Sequence, residues 1–117
     1  MSCAPKFMVD FKDENVFISG PITGKPLANK AAFQGMEAWL VECGARVYNP
    51  RRHQVPKGLI ECEVWPTMMK MALQDFVHCT SVVMLEGWKD SRGASLEHKI
   101  ASELCMRIYD SKLKRIG

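Results

Sequence analysis

The sequence LEGWKDSRGASLEHKIA, at residues 85–101, joins the end of a strand to the beginning of a helix. An apolar run, SVVML at 81–85, is typical of a short buried strand, and a polar, glycine-containing loop follows it at 86–93. Helical spacing then puts five residues on one face: Gly93, Glu97, Ile100, Ala101 and Leu104. Glu97 is the charged member of that face, just past the carboxyl end of a strand, where open α/β sheets bind ligands. We therefore expect the chain to build a pocket around Glu97.

Short strands and helices alternate outward from this segment. Besides 81–85, β-rich runs lie at 16–19, 45–48 and 106–109, and helical patterns lie at 30–43, 65–78 and from Gly93 onward. Residues 51–64 are polar and predict an exposed loop, with Pro66 near the first position of the second helix. The alternation predicts a three-layer, flavodoxin-like α/β fold, with a parallel sheet of four to five short strands and helices on both faces.

The length of 117 residues fits one domain. We expect an N-terminal arm or edge strand at 1–14, the α/β domain at 15–110, and a basic, frayed tail at 111–117.

Composition and charge exclude several classes of protein. The net charge of +3 is too small, and basic runs are too few, to indicate a nucleic-acid polymer as partner. No apolar stretch approaches the ~20 residues of a membrane span, and the N-terminus lacks the apolar core of a signal peptide. An odd number of cysteines without a CxxC pair predicts free thiols in a reducing, cytoplasmic setting. No zinc spacing, Walker loop or full GxGxxG is present, so we expect neither a metal nor a cofactor.

The polar loops at 20–29, 49–63 and 86–93 follow predicted strands and should line one edge of the sheet. The helix that begins near Gly93 offers free N–H groups and a favourable dipole to a 5′-phosphate, with hydroxyls from Ser91 and Thr23 and charge from Arg92 or Lys25. The candidate ligand contacts are Gly20, Pro21, Thr23, Gly24, Asn29, Asn49, Trp88, Ser91 and Gly93.

Three segments carry a family resemblance: FISGPITGKPLANKAAF, GARVYNP and LEGWKDSRGASLEHKIASELCMRI. They resemble a small phage and prophage family of formally unknown function, which is itself similar to nucleoside 2-deoxyribosyltransferases and deoxynucleoside 5′-monophosphate N-glycosidases. The resemblance implies a nucleotide or nucleoside substrate and a homodimer or higher homo-oligomer. It also implies three roles for individual residues. Glu97 would be the nucleophile at the anomeric carbon, Ser91 would bind the 5′-phosphate, and Gly20 with the following turn would line the nucleotide site.

One position departs from that pattern. Ala72 stands where the enzymes carry an aspartate, and Asp75 lies one turn further along the same helix. An acid is needed to protonate the departing base, and the candidates are Asp75 and Asp90. Loss of the aspartate leaves a second hypothesis open, that of a non-catalytic nucleotide-binding module.

Plainer roles also remain open for the main candidates. Glu97 also suits a role in complementing the helix dipole, and Ser91 suits a role in capping the helix. Gly20-Pro21 is a common turn pair, and Trp88 suits packing at the loop base better than stacking on a nucleobase. A purely structural or interaction protein is a third, weaker hypothesis.

Overall fold

The computed structural model describes residues 10–117, so residues 1–9 of the expected N-terminal arm lie outside the described residues. Residues 10–117 contain four strands and three α-helices, and they alternate as predicted. In chain order the elements are β1 (Asn15–Ser19), α1 (Lys30–Glu42), β2 (Arg46–Tyr48), α2 (Glu61–Phe76), β3 (Ser81–Met84), α3 (Arg92–Glu103) and β4 (Arg107–Tyr109). None of the helices in this part of the chain has the length and apolar character needed to cross a bilayer.

The four strands form a parallel sheet in the order β2-β1-β3-β4. Phe17 pairs with Tyr48 on one side of β1, and Ser19 pairs with Met84 on the other. The chain leaves β1 toward β2 and later returns past β1 to β3, so the strand order reverses between β1 and β3. This is the flavodoxin-like arrangement, and its ligand crevice lies at the carboxyl ends of β1 and β3.

Alternate residues of β1 pack against opposite helical layers. Val16 and Ile18 belong to a buried cluster with residues of α1. Phe17 belongs to a second cluster, with Ala72 and Phe76 of α2 and Ala94 and Ala101 of α3. Since side chains alternate along a strand, Ser19 faces the same layer as Phe17. The fold therefore points the last side chain of β1 at α3.

The prediction for the beginning of α2 is wrong, because the helix begins at Glu61 within the expected loop. The carboxylate of Glu63 accepts a hydrogen bond from the backbone N–H of Ile60 at 3.0 Å, which satisfies a donor at the helix start. Pro66 consequently lies inside the helix and not at its first position. Glu61 and Glu63 in the first turn also complement the helix dipole. In the sequence, these residues favour a helix start near 61, whereas Pro66 favours a start near 65.

The prediction of a frayed tail is also wrong. Ile108 of β4 exchanges backbone hydrogen bonds with Ile116 and Gly117, and Arg115 bridges antiparallel to Tyr109. Leu113 is 4% exposed and joins the cluster on the α1 side of the sheet, which also contains Phe11. Burial of these two apolar side chains holds both flanks of the domain against its core.

Candidate functional site at the carboxyl edge of the sheet

Glu97 lies on the buried side of α3, between Ala94 and Ala101, and is 6% exposed. The predicted face is therefore correct at Glu97 and Ala101. It is wrong at Leu104, which is 57% exposed because the helix has ended and Leu104 is its C-terminal cap. A carboxyl group buried this deeply needs a polar partner or must take up a proton.

The partner of Glu97 is Ser19, which the sequence analysis did not single out. The Ser19 hydroxyl donates a hydrogen bond of 2.6 Å to Glu97 Oε1, and Ser19 is fully buried at the end of β1. Burial raises the pKa of Glu97 to about 7, against a smaller lowering by the Ser19 hydrogen bond. Near neutral pH the group is therefore poised between acid and carboxylate.

The two oxygens of Glu97 have different surroundings. Within the described residues Oε1 is bonded to Ser19, and Oε2 has no hydrogen-bond partner. In the same part of the chain no fully buried side-chain oxygen lacks a partner, so Oε2 keeps some exposure. Oε2 is consequently the oxygen that an entering ligand would meet.

The start of α3 lies five residues before Glu97, about one and a half turns along the helix. Ser91 is the N-cap, and its Oγ accepts the N–H of Ala94 at 3.2 Å. The N–H groups of Arg92 and Gly93, in the first turn, have no acceptor inside the helix. The hydroxyl of Ser95 donates to the carbonyls of Trp88 and Lys89, which ties the preceding loop to the helix. Helix starts with free N–H groups of this kind are where anions bind in many proteins.

Gly93 leaves room between α3 and the first half of α2. A Cβ built on Gly93 would lie 3.8 Å from Met69 Sδ and 3.9 Å from Trp65 Nε1. The guanidinium of Arg92 lies 3.6 Å from the centre of the Trp65 ring, a cation–π contact that closes this side. Neither residue was predicted from the sequence to make this contact.

The loops after β1 and β3 touch at Gly20. A Cβ on Gly20 would lie only 2.7 Å from Leu85 Cβ, so a larger residue would push the two loops apart. Leu85 N–H donates to the Ser19 carbonyl at 2.7 Å, which keeps β1 and β3 paired to their ends. The side chain of Asn29 donates to the carbonyl of Pro21 at 2.9 Å and holds the loop. Gly20, Pro21 and Asn29 therefore lie together in the loop that follows Ser19.

Thr23 and Gly24 are exposed at the tip of this loop. Gly24 adopts φ +81°, a conformation that suits glycine. They extend from the edge of the site toward solvent.

The structure does not bring Asn49 to Glu97. Asn49 is buried after β2, but its amide donates to Glu37 Oε1 at 3.0 Å, on the α1 side of the sheet. Its oxygen also accepts the N–H of Arg51 at 2.9 Å. Both bonds support the turn at Pro50–Arg52.

Asp75 is also remote from Glu97. It lies in the last turn of α2, which leads to the beginning of β3 and hence to the amino edge of the sheet. Its Oδ2 lies 2.6 Å from His53 Nε2. Ala72, one turn earlier, is 6% exposed within the apolar cluster around Phe17 and Phe76. The direction of α2 explains why Asp75 is remote from Glu97. Helices and strands of such a unit run antiparallel, so the end of α2 lies at the amino edge of the sheet, away from the ligand edge.

Trp88 packs at the base of the loop after β3. Its ring stacks on His98 with centroids 4.3 Å apart, and Lys89 Nζ lies 5.8 Å from it. Asp90 is exposed on the same loop. Trp88 is half-buried and contacts the cluster that contains Ala94.

Two open pockets lie along the same edge. One, of about 380 Å³, is lined by Lys25, Asn29, Met36, Glu86, Gly87 and Ser111 among others. The second, of about 330 Å³, includes Trp88, Asp90 and Asp110. Glu97 lines neither pocket. Met36 and Leu85, which line the first, belong to the buried cluster on the α1 side of the sheet, opposite the layer of Glu97. No group of three His, Cys, Asp or Glu side chains within residues 10–117 is placed to hold a metal ion.

These features define a flavodoxin-like α/β domain with a buried carboxyl group at the carboxyl edge of its parallel sheet. Residues 14–110 match the family described as a domain of unknown function (DUF4406), and the chain belongs to that family. No curated protein matches the chain.

Proposed function

We propose that this protein cleaves the N-glycosidic bond of deoxynucleotides, preferentially 5′-monophosphates, with Glu97 as the nucleophile. The observation that carries the proposal is the state of Glu97: it is buried, held at Oε1 by Ser19 and, among the described residues, without a partner at Oε2. It stands at the edge where open α/β sheets bind ligands.

The chemistry follows from this arrangement. Glu97 Oε2 attacks C1′ of the sugar while the C1′–N bond breaks and its electron pair leaves with the base. Water then attacks C1′ of the glycosyl-enzyme and releases the sugar phosphate and the Glu97 carboxylate. The proton that the water loses balances the one that the departed base takes up. Only the ionised form of Glu97 can attack, so base release should rise with pH through about 7.

The beginning of α3 supports the preference for monophosphates. A phosphate there meets the dipole and free N–H groups of the first turn, together with the Ser91 hydroxyl and the Arg92 side chain. Charge-assisted hydrogen bonds of this kind are about twice as strong as neutral ones. Nucleosides lack this contact and should bind more weakly.

A second candidate function is a nucleotide-binding module without turnover. The observation that favours it is the apolar setting of Ala72, because within the described residues Glu97 is the buried carboxyl and no second one accompanies it. Protonation of the departing base then falls to solvent or to an exposed loop group such as Asp90. Slow or absent base release would follow if neither can act.

We further propose a cytoplasmic homo-oligomer. An odd number of cysteines without a CxxC pair supports free thiols in a reducing compartment. Trp39, Trp65 and several methionines of α2 remain partly exposed on helices, where a second copy could cover them.

Base release measured on a panel of nucleosides and their 5′-monophosphates tests the proposal. Wild type should release base from at least one monophosphate. Glu97→Gln should bind the same nucleotide and lower base release by orders of magnitude, because the near-isosteric amide cannot attack. Glu103→Gln, an exposed change on the same helix, is the matched control and should behave as wild type.

Three outcomes separate the hypotheses. Full base release by Glu97→Gln would remove Glu97 as the nucleophile. Nucleotide binding without base release by wild type on the whole panel would select the binding module. Absence of both binding and base release would reject both functions.

A further inference from the structure

We propose that Ser19 is a positioning residue for Glu97, whose hydroxyl holds Oε1 so that Oε2 is the oxygen presented to the ligand. Its catalytic consequence rests on the proposed function, whereas the contact itself can be tested without turnover. The two residues lie 78 positions apart in the chain and meet through a hydrogen bond of 2.6 Å between buried atoms.

The position of the Ser19 hydroxyl is set by the sheet. Ser19 is fully buried, pairs with Met84 of β3 and accepts the Leu85 N–H at 2.7 Å through its carbonyl. Gly20, the residue after Ser19, packs so close to Leu85 that a Cβ built on it would lie 2.7 Å from Leu85 Cβ. The hydroxyl therefore offers Glu97 a fixed donor from a rigid strand.

A fixed donor matters because the carboxyl end of a glutamate rotates broadly about its last torsion. The Ser19 hydroxyl has one hydrogen to donate, and within the described residues it donates that hydrogen to Glu97. The bond selects one oxygen and also favours the charged form of the group that accepts it. Without Ser19 the carboxyl group would lose both constraints.

In the described part of the chain, no charged side chain forms a hydrogen bond or an ion pair with Glu97. The side chains that face the same layer are apolar on β1, β3 and β4 (Phe17, Val82, Met84 and Ile108) and on the buried side of α2 (Met69, Ala72 and Phe76). On α3 itself, Arg92 lies on Trp65, His98 stacks on Trp88 and Lys99 is exposed. Asp75 and Arg107, at the amino edge of the sheet, pair with His53 and Glu14. Ser19 is thus the polar group that reaches Glu97 from the sheet.

The first experiment follows the titration of Glu97 by NMR in protein with labelled glutamate carboxyl carbons, with Glu97→Gln identifying the signal. Ser19→Ala should raise the titration midpoint by about one to two pH units, since a hydrogen bond to a charged group is lost. Ser19→Thr keeps the hydroxyl and should stay close to wild type. A folded Ser19→Ala protein with an unchanged midpoint would overturn the proposal.

The second experiment separates positioning from ionisation. At a pH above both midpoints, Ser19→Ala should still lower kcat for base release by about ten-fold or more at nearly unchanged KM, because an ionised but misoriented carboxyl attacks poorly. Recovery of the full wild-type kcat at that pH would overturn the positioning role. If Ser19→Ala does not fold, Ser19→Cys, a weaker donor of similar size, replaces it in both experiments. Each change should then have the same direction and a smaller size, and an unchanged midpoint or kcat would overturn the proposal.

The two proposals fail differently. If wild type releases no base from any nucleotide, the proposed function fails. The NMR titration then decides by itself whether Ser19 holds Glu97.

Discussion

Replacing Glu97 by glutamine should change how the stability of the protein depends on pH. The pKa of Glu97 is raised from 4.5 to about 7 in the folded protein, mainly by burial. The folded state therefore holds a proton more tightly than the unfolded state does. Stability is lost as pH rises above the unfolded pKa, and the loss is complete above the folded pKa.

The size of the effect follows from linkage. With pKa values of 4.5 unfolded and about 7 folded, ionisation of Glu97 costs about 1 kcal/mol at pH 5 and about 3 kcal/mol at pH 8. Glutamine does not ionise, and its amide oxygen can still accept the Ser19 hydroxyl. Between pH 5 and pH 8, wild type should therefore lose roughly 2 kcal/mol of unfolding free energy relative to Glu97→Gln.

Urea denaturation at pH 5 and pH 8 measures this difference. With typical slopes for small domains, the midpoint of wild type should fall relative to that of Glu97→Gln by on the order of 1 M urea. Other titrating groups contribute equally to both proteins and cancel in the comparison.

Glu103→Gln provides the control, because Glu103 is exposed on the same helix. It should show the pH dependence of wild type. If wild type and Glu97→Gln change in parallel from pH 5 to pH 8, Glu97 is not a buried carboxyl with a raised pKa. The electrostatic basis of the site would then be wrong, whatever the activity.

The other predictions address the phosphate, the loop contact, the departing base and assembly. Ser91→Ala removes the cap on Ala94, so it should cost about 1 kcal/mol of stability. It should also weaken the binding of monophosphates about ten-fold and leave the binding of nucleosides unchanged. If calorimetry shows that both kinds of ligand bind equally more weakly, Ser91 only shapes the loop. Gly20→Ala places a Cβ 2.7 Å from Leu85 Cβ and should cost about 1–3 kcal/mol in a denaturation curve, whereas Gly35→Ala, with open space around it, should not destabilise. If no acid serves the leaving base, the 5′-monophosphate of 7-methyl-deoxyguanosine, whose base leaves without protonation, should be cleaved about 100-fold faster than that of deoxyguanosine; equal rates would reveal an acid. Light scattering should give a mass of at least a dimer, and a value of 13.2 kDa would contradict the proposed oligomer.

Local patterns were enough to predict the elements and the placement of Glu97. Short β-rich runs and helical spacing depend on neighbouring residues, and the four strands and three helices within residues 10–117 lie close to the expected positions. The burial of Glu97 follows from its spacing to Ala101 on α3. Strand alternation with helices also implies a parallel sheet, so the loops after β1 and β3 could be assigned to one edge in advance.

Partners distant in sequence could not be obtained in this way. Ser19 appeared in the sequence as the end of a strand, and its bond to Glu97 depends on the order β2-β1-β3-β4 and on which layer α3 joins. Asn49 and Asp75 carry side chains suited to a ligand site, yet in the folded protein Asn49 bonds Glu37 and Asp75 bonds His53. A sequence states which groups exist and how near neighbours are spaced. Which groups meet across the sheet depends on how the helices pack on its two faces, and that packing follows from the burial of the whole core at once.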